Sequence, residues 1–207
     1  MHGVRLRRTL EPWFVRRIVI LSSASGSGKS TLGRKLASAL GVPYVELDAI
    51  HHQANWRELT AEELRREVEP IVAGDTWVID GSYRSKLGDL VLDAADTVVW
   101  LDLPRRVWLP RLLWRTLRRA LLREELWNGN RESFRMAFSS NDSIVLFALR
   151  NDRGRQHRYP HDLARYRVAR LRSQREVDAF LRSVSDRVSD FSRTRALREP
   201  AEERVSD

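Results

Sequence analysis

The stretch Ser25-Gly26-Ser27-Gly28-Lys29-Ser30 lies between an apolar run and the repeating leucines of an amphipathic helix pattern. Glycines let a backbone curl tightly, and the N-terminus of the following helix offers unpaired N–H groups and positive potential. The lysine supplies a cation for phosphate oxygens, and the hydroxyl beside it is a ligand type that Mg²⁺ accepts. We therefore predict a loop that binds the phosphates of a nucleoside triphosphate, with ATP and Mg²⁺ as cofactors. The alternative is a simple Gly/Ser turn.

Each residue of this loop has an expected role. The backbone N–H groups from Gly26 to Ser30 would converge on the β-phosphate, and Lys29 would bridge the β- and γ-phosphates. The residues expected to bind the nucleotide are Ser25, Gly26, Ser27, Gly28, Lys29, Ser30 and Thr31. The loop departs from the pattern G-x-x-x-x-G-K-[ST] at one position, because Ser23 stands in place of the first glycine.

Strand and helix patterns alternate around the loop and must position it. Strands are predicted at 17–22, 42–48, 76–80, 97–102 and 166–171, and helices at 29–40, 60–73 and 87–95, with two more opening at Pro104 and Ser173. Two capping boxes, Thr60 with Glu63 and Ser173 with Glu176, support the starts of their helices. This alternation predicts an α/β fold whose binding crevice lies at the carboxyl ends of parallel strands.

Composition narrows the class of protein. The 207 residues include no cysteine, which excludes disulfides and thiolate metal sites. The apolar run after the basic N-terminus is too short for a signal peptide or a membrane span, so we expect a cytoplasmic protein. Most of the net charge of +9 lies between Asp102 and Arg182. This basic block could serve a polyphosphate or nucleic acid, or could follow a general bias, since 34 of the 37 basic residues are arginine.

The loop, followed by "VELDAI", "WVIDGSYR" and "VVWLDLPRRVWLPRLLWR", resembles the adenylate-kinase-like P-loop kinases. It resembles especially the small bacterial proteins labelled DNA topology modulation proteins, over about residues 17–123 and 166–184. The resemblance implies a P-loop NTPase three-layer fold with a five-stranded parallel sheet and an inserted arginine-rich helical lid at about 118–165. The predicted organisation is a basic extension at 1–16, a P-loop kinase-like domain at 17–184 and a disordered tail at 185–207.

The resemblance also assigns site residues. Asp80, at the end of the third strand, takes the place of the family acid that helps to hold magnesium, so Ser30 and Asp80 are the expected metal ligands. Arg84 falls where such kinases place an arginine for the acceptor phosphate. Arg111 and Arg115 have the spacing of two arginines that clamp the transferring phosphoryl group, and being four residues apart they share a helix face. The alternative for this pair is a solvated basic face.

On the acceptor side, Asp48 takes the position where P-loop kinases of small metabolites, such as shikimate kinase, carry an acid that binds or deprotonates the acceptor hydroxyl. The alternative is a helix or turn cap. We expect His51 to stack on the acceptor or hydrogen-bond to it. Metal binding is not expected, because His52 is adjacent to His51 and no further ligand spacing is visible. The predicted substrate-binding residues are thus Asp48, His51 and Arg84, and the predicted catalytic residues are Lys29, Asp48, Asp80, Arg111 and Arg115.

Two departures argue against AMP as the acceptor. His51 replaces an arginine of the family, and Gly88 replaces the glutamine that reads the acceptor adenine. The inserted segment offers further candidates for lid or acceptor contacts, but none identifies the acceptor. These candidates are Trp127, Asn128, Asn130, Arg131, Arg150, Arg153, Arg155 and Arg158.

Three functions remain open at this point. The first is an ATP- and Mg²⁺-dependent phosphotransferase that moves the γ-phosphoryl group to a small-molecule or nucleotide acceptor. The second is a DNA-associated or regulatory ATP-binding protein without kinase activity, motivated by the basic block. The third is an ATP-binding protein that has lost catalysis, which would agree with the Ser23 departure.

Overall fold

The computed structural model describes residues 16–122, 125–130 and 144–202, and these contain one parallel sheet of five strands in the order β2-β3-β1-β4-β5. The strands are β1 (Arg17–Ser22), β2 (Tyr44–Glu46), β3 (Trp77–Asp80), β4 (Thr97–Leu101) and β5 (Val168–Leu171). The central β1 is apolar at every position from Ile18 to Leu21, as expected of a parallel strand that is covered on both faces. The predicted α/β fold with a five-stranded parallel sheet is confirmed.

Helices cover both faces of the sheet. They are α1 (Lys29–Leu40), α2 (Leu47–His51), α3 (Ala61–Val72), α4 (Arg84–Leu87), α5 (Leu90–Asp93), α6 (Arg105–Leu122), α7 (Ile144–Asp162) and α8 (Gln174–Glu202). Ile18 and Ile20 of β1 belong to one core with residues of α1 and α8, whereas Val19 and Leu21 belong to a second core with residues of α3. Because successive strand residues point to opposite faces, β1 contributes to the cores on both sides of the sheet, and the fold has three layers: helices, sheet and helices.

The second strand and the helix after it differ from the sequence prediction. Strand β2 ends at Glu46, and α2 begins at Leu47, so Asp48 lies in the first turn of a short helix and not at the end of a strand. Two physical effects favour this: the Leu47 side chain is fully buried in the core, and a carboxylate is stabilised near a helix N-terminus. Gly88 separates α4 from α5, which divides the predicted helix at 87–95 in two.

The long helices also extend beyond what the patterns indicated. Helix α6 runs through Pro110 without ending there, and α7 lies in the stretch where no period was visible. Helix α8 continues to Glu202, past the start of the tail at 185–207 that the sequence predicted to be disordered. Val184 is the last buried side chain among those of α8 whose burial the structure describes, and beyond it the Ser185 and Ser189 hydroxyls donate to carbonyls of the preceding turn. The continuation therefore has local hydrogen bonds, and apolar residues repeat at helical spacing into its start, at Leu181, Val184, Val188 and Phe191.

The loop between β1 and α1 is pressed against α6. A Cβ atom added to Gly26 would lie 2.8 Å from both the Leu112 Cβ and the Trp108 carbonyl oxygen, and Gly26 has a φ of +81°. Gly28, at the start of α1, has a similar φ of +89°, but a Cβ there would meet nothing within 4 Å among the described residues. Only Gly26 therefore needs glycine for both its backbone conformation and its close contact.

These two glycines give a matched pair of variants. Gly28→Ala should lower the free energy of unfolding by about 1–2 kcal/mol, the cost of a left-handed backbone for alanine. Gly26→Ala should cost about 1–3 kcal/mol more, because the new methyl also overlaps α6. Urea unfolding of both variants without nucleotide measures the difference. Equal losses in the two variants would show that α6 does not pack on the loop as described.

Candidate active site

The functional side chains converge at the carboxyl ends of β1 and β3. These strands are neighbours in the sheet, so Asp80 at the end of β3 lies beside the loop that follows β1. The Lys29 Nζ lies 3.0 Å from Asp80 Oδ1, and the Ser30 hydroxyl lies 2.8 Å from Asp80 Oδ2. Three residues from two distant parts of the chain thus contact one another, and all three were expected site residues.

Further oxygen atoms surround Ser30. Its Oγ lies 3.1 Å from Glu46 Oε1, and the Tyr44 hydroxyl donates to Asp80 Oδ2 at 3.3 Å. A hydroxyl and two carboxylates form the oxygen donor set that Mg²⁺ prefers, so Ser30, Asp80 and Glu46 could hold this ion. The sequence analysis found Ser30 and Asp80 but missed Glu46.

Charge balance around Lys29 favours its protonated form. Burial by itself lowers the pKa of Lys29, but the carboxylates of Asp80, Asp48 and Glu46 outweigh that effect and raise the pKa above its ordinary value. The side chain of Asp80 is only 3% exposed, so its ion pair with Lys29 is poorly screened by water. Lys29 is therefore a permanent cation at the base of the cleft.

The serine in place of the first loop glycine has a structural role. The Trp100 indole N–H donates to Ser23 Oγ at 3.0 Å, and the Ser23 hydroxyl lies 3.3 Å from Asp102 Oδ1. Arg170 completes the group: its Nε donates to Asp102 Oδ2 at 2.8 Å, and its guanidinium lies 4.1 Å from the centre of the Trp100 ring. Ser23 thus joins the loop to β4 and β5 through buried polar contacts that glycine could not make.

Asp48 lies on the wall of the same cleft and accepts a hydrogen bond from the Tyr83 hydroxyl at 2.7 Å. Burial, followed by the nearby Asp48 charge, raises the pKa of Tyr83, so its hydroxyl stays protonated and donates to the carboxylate. The charge of Asp48 also contributes to the raised pKa of Lys29, so Asp48 lies on the side of the cleft near Lys29. The sequence analysis did not identify Tyr83.

His51 is buried and belongs to a group that the sequence analysis did not anticipate. Lys86 Nζ lies 3.2 Å from His51 Nε2, 3.1 Å from Glu58 Oε2 and 2.9 Å from the Leu59 carbonyl oxygen. Burial lowers the pKa of His51, which keeps its ring neutral, and the hydrogen bond from Lys86 lowers the pKa of Glu58. The Lys86 ammonium therefore already supplies a cation to this group.

Glu58 adds a third potential metal ligand beside the two adjacent histidines. One ligand atom from each of His51, His52 and Glu58 lies within 4.8 Å of the other two. The sequence showed only the adjacent histidines, because Glu58 is brought to them by the turn that pairs His52 with Glu58. The ammonium of Lys86, between His51 and Glu58, opposes a second cation at the same place.

The predicted arginines lie along the cleft, which has a volume of about 2150 Å³. Arg111 and Arg115 both line it, and Arg111 donates to Gln174 at 3.0 Å. Arg84 also lines it, but its guanidinium contacts Asp89 at 2.6 Å and Asp162 at 3.3 Å. The cleft is lined further by arginines of α6 and α7, namely Arg118, Arg119, Arg155 and Arg158.

The segment 125–130 packs on the chain that follows α2. Asn128 donates to the carbonyls of Ala49 and His52 at 3.0 and 2.7 Å, and the ring of Trp127 stacks on His52 with 6.0 Å between centroids. The buried Asn130 accepts from the Trp56 N–H at 2.8 Å. Of the other predicted lid contacts, Arg155 and Arg158 line the cleft, Arg150 and Arg153 are exposed outside it, and Arg131 lies outside the described residues.

Comparison with known proteins adds to this geometry. The family model for shikimate kinase matches residues 25–70, from the phosphate loop to α3. A shikimate kinase from Mycobacterium avium is 29% identical over 167 residues, which cover 73% of this chain and 92% of the relative. The chain is similar to the shikimate-kinase-like P-loop kinases.

Other relatives match over shorter stretches. The chain spans 16% of a bifunctional pantoate ligase/cytidylate kinase from Gloeobacter violaceus, with 29% identity over 87 residues covering 42% of this chain. It spans 58% of a shikimate kinase from Corynebacterium diphtheriae, with 33% identity over 106 residues, again covering 42% of this chain. The more specific resemblance to DNA topology modulation proteins does not emerge from these matches.

Solved structures of this kinase group share the fold. A shikimate kinase from Acinetobacter baumannii in complex with shikimate superposes with a TM-score of 0.51 at 15% identity, covering 86% of this chain and 96% of that one. A gluconokinase from Sinorhizobium meliloti gives a TM-score of 0.45 at 22% identity, covering 86% and 98% of the two chains. Among the helices of the described residues, none is long and apolar enough to cross a membrane.

The role of Ser23 can be tested by restoring the consensus glycine. Ser23→Gly should lower the free energy of unfolding by about 1–3 kcal/mol, because the buried Trp100 N–H loses its acceptor. Ser25→Gly is the control, since it changes the same loop at a serine whose hydroxyl has no hydrogen-bond partner among the described residues. Urea denaturation of both variants gives the comparison. A Ser23→Gly protein as stable as the control would contradict the assigned contacts.

Proposed function

We propose that this protein transfers the γ-phosphoryl group of ATP to a hydroxyl of a small-molecule acceptor. The observation that carries the proposal is the contact of Lys29 and Ser30 with Asp80 at one end of the cleft, with Asp48 on the wall of the same cleft. One group of residues suits the phosphates and the other suits the acceptor. Such an arrangement serves phosphoryl transfer, which depends on positioning and on charge stabilisation.

At the nucleotide end, the backbone N–H groups of the loop and the start of α1 bind the phosphates, and the Lys29 ammonium contacts the β- and γ-oxygens. Ser30 and Asp80, with Glu46 beside them, would hold Mg²⁺. The ion, when bound, neutralises charge on the phosphate oxygens. Arg111 and Arg115 stabilise the negative charge that spreads over the equatorial oxygens as the phosphoryl group moves.

At the acceptor end, Asp48 is the general base. Tyr83 donates to Asp48 Oδ1 and fixes the orientation of the carboxylate. Asp48 Oδ2 would accept the proton of the acceptor hydroxyl as its oxygen attacks the γ-phosphorus, while the bond from this phosphorus to the β,γ-bridging oxygen breaks and ADP leaves. His51 contributes a neutral ring to the same wall, packed on Tyr83 with 4.7 Å between centroids.

The similar proteins support a small-molecule acceptor. Those named above are kinases of shikimate, gluconate or a nucleotide, and the matching shikimate kinase family model supports this class. Closer kinship with adenylate kinases or with DNA topology modulation proteins stays a hypothesis based on the motifs after the loop. The relatives give no support to a nucleic-acid partner. The serine at position 23 does not require that the protein has lost catalysis, because Ser23 has buried hydrogen-bond partners of its own.

The first test concerns nucleotide binding. Lys29→Ala should remove most binding of MgATP, because the lost charge faces the β- and γ-oxygens. Arg66→Ala is the control for the loss of one positive charge, since Arg66 is exposed on α3 and lies outside the cleft. Isothermal titration of MgATP into the three proteins measures the effect. Equal affinity in all of them would exclude the loop as the phosphate site.

The second test separates the two aspartates. Asp48→Asn should keep MgATP affinity nearly unchanged while lowering phosphoryl transfer by roughly 100-fold or more, the scale of lost general-base help. Asp80→Asn should instead weaken the dependence of nucleotide binding on Mg²⁺. ATP affinity with and without Mg²⁺, followed by turnover with an active acceptor, distinguishes them. If Asp48→Asn loses as much ATP affinity as Lys29→Ala, then Asp48 serves the nucleotide or the fold.

A further inference from the structure

The wall of the cleft that carries Asp48 is rich in carboxylates. Among the described residues, Asp48, Glu58, Asp89 and Asp162 line this part of the cleft. The cations beside them are Arg84 and Lys86, which also line it, and Arg165, which contacts Asp89 at 2.9 Å from outside the lining. We call this part, formed by α2, residues 52–58, α4 and the end of α7, the acceptor end. Its balance is the reverse of the chain as a whole, which carries a net charge of +9.

Lys86 has little capacity left for a ligand. An ammonium group has three N–H donors, and two acceptors, the Leu59 carbonyl oxygen and Glu58 Oε2, lie 2.9 and 3.1 Å from Lys86 Nζ. His51 Nε2 lies 3.2 Å from the same ammonium and occupies its third side. An anionic ligand would have to draw Lys86 away from Glu58 and leave that carboxylate without its cation. Such an exchange gains little, because one ion pair replaces another.

Arg84 is held in the same way. Its guanidinium contacts carboxylates on two sides, Asp89 at 2.6 Å and Asp162 at 3.3 Å. These contacts join α4 to the end of α7, so moving the guanidinium to a ligand would also release a tertiary contact. Arg165 likewise contacts Asp89 at 2.9 Å and Asp93 at 2.7 Å. The cations beside these carboxylates are therefore paired with carboxylates of the protein.

Aromatic rings form a further part of the acceptor end. The rings of Trp56 and Trp127 lie 5.8 and 6.0 Å from the ring of His52, and all three residues line the cleft. Aromatic faces carry negative potential, so they attract cations and C–H groups and do not favour anions. Ring faces exposed to the cleft would suit C–H groups and cations of a ligand.

From this arrangement we infer that the phosphoryl acceptor carries no anionic group, and that Asp48 and Glu58 bind its hydroxyl or ammonium groups. The inference rests on the proposed function and narrows it. It disfavours carboxylates, shikimate among them, and nucleoside monophosphates. It favours uncharged polyols and amino-substituted hydroxyl compounds, for which the carboxylates are acceptors of hydrogen bonds and partners of charge. The arginines of α6 and α7 that line the cleft suit the phosphates of the nucleotide.

Three ligands that share a six-carbon polyhydroxyl chain isolate the charge: D-glucamine, D-glucitol and D-gluconate. They are titrated into the full ¹⁵N-labelled chain in the presence of MgADP. The indole N–H signals of Trp56 and Trp127, assigned with Trp56→Phe and Trp127→Phe, report binding at the acceptor end. D-Glucamine should bind at least about tenfold more tightly than D-gluconate, because the carboxylates of the acceptor end repel the carboxylate of D-gluconate. Equal or tighter binding of D-gluconate, or no shift with any of the three, would overturn the inference.

A variant tests the named carboxylate. Glu58→Gln should reduce the preference for D-glucamine over D-gluconate toward unity, whereas Glu67→Gln, at an exposed position of α3 outside the cleft, should leave it unchanged. A preference that is the same in Glu58→Gln and in the unchanged protein would also overturn the inference. Titration of MgATP into the same samples tests the proposed function separately. If the proposed function is wrong, MgATP does not bind, but the preference among the three ligands is intact.

Discussion

The contact between Lys29 and Asp80 is the interaction on which the rest of the site depends. It exists because β1 and β3 are parallel neighbours, so that the loop after one strand meets the last residue of the other. The carboxylate keeps the lysine protonated and holds it at the base of the cleft, and it shares the hydroxyl of Ser30. The proposed places for phosphate and Mg²⁺ depend on this arrangement of strand ends.

Charge is separated along the cleft by the elements that line it. Helices α6 and α7 bring arginines, while α2, α4 and the turn between α2 and α3 bring carboxylates and aromatic rings. The cations among the carboxylates include Arg84, Lys86 and Arg165, which are paired with those carboxylates. This separation underlies the proposal that one end of the cleft binds a polyphosphate and the other a ligand recognised through hydroxyl or amino groups.

Ser23 shows how a departure from a motif can be compensated within one fold. The first glycine of a phosphate loop allows close packing without a side chain, but here the neighbouring strand carries Trp100, whose buried indole N–H requires an acceptor. Ser23 provides it and contacts Asp102, which in turn binds Arg170. The loop is thus attached to the far side of the sheet by polar contacts, and this attachment depends on the whole group of residues.

The sequence by itself determined the features that are local or periodic. The phosphate loop, its flanking strand and helix, the capping box at Thr60 and the alternation that builds a parallel sheet are set by spacing and residue type, and they agree with the structure. Only the tertiary structure decided which distant side chains meet, as with Glu46 beside Ser30 and Lys86 between His51 and Glu58. The physical reason is that periodicity reports which face of an element is buried, whereas the register and ends of neighbouring elements set the contacts across it. For the same reason Asp48 could be recognised as an acid after β2, while its place in the first turn of α2 depended on the burial of Leu47.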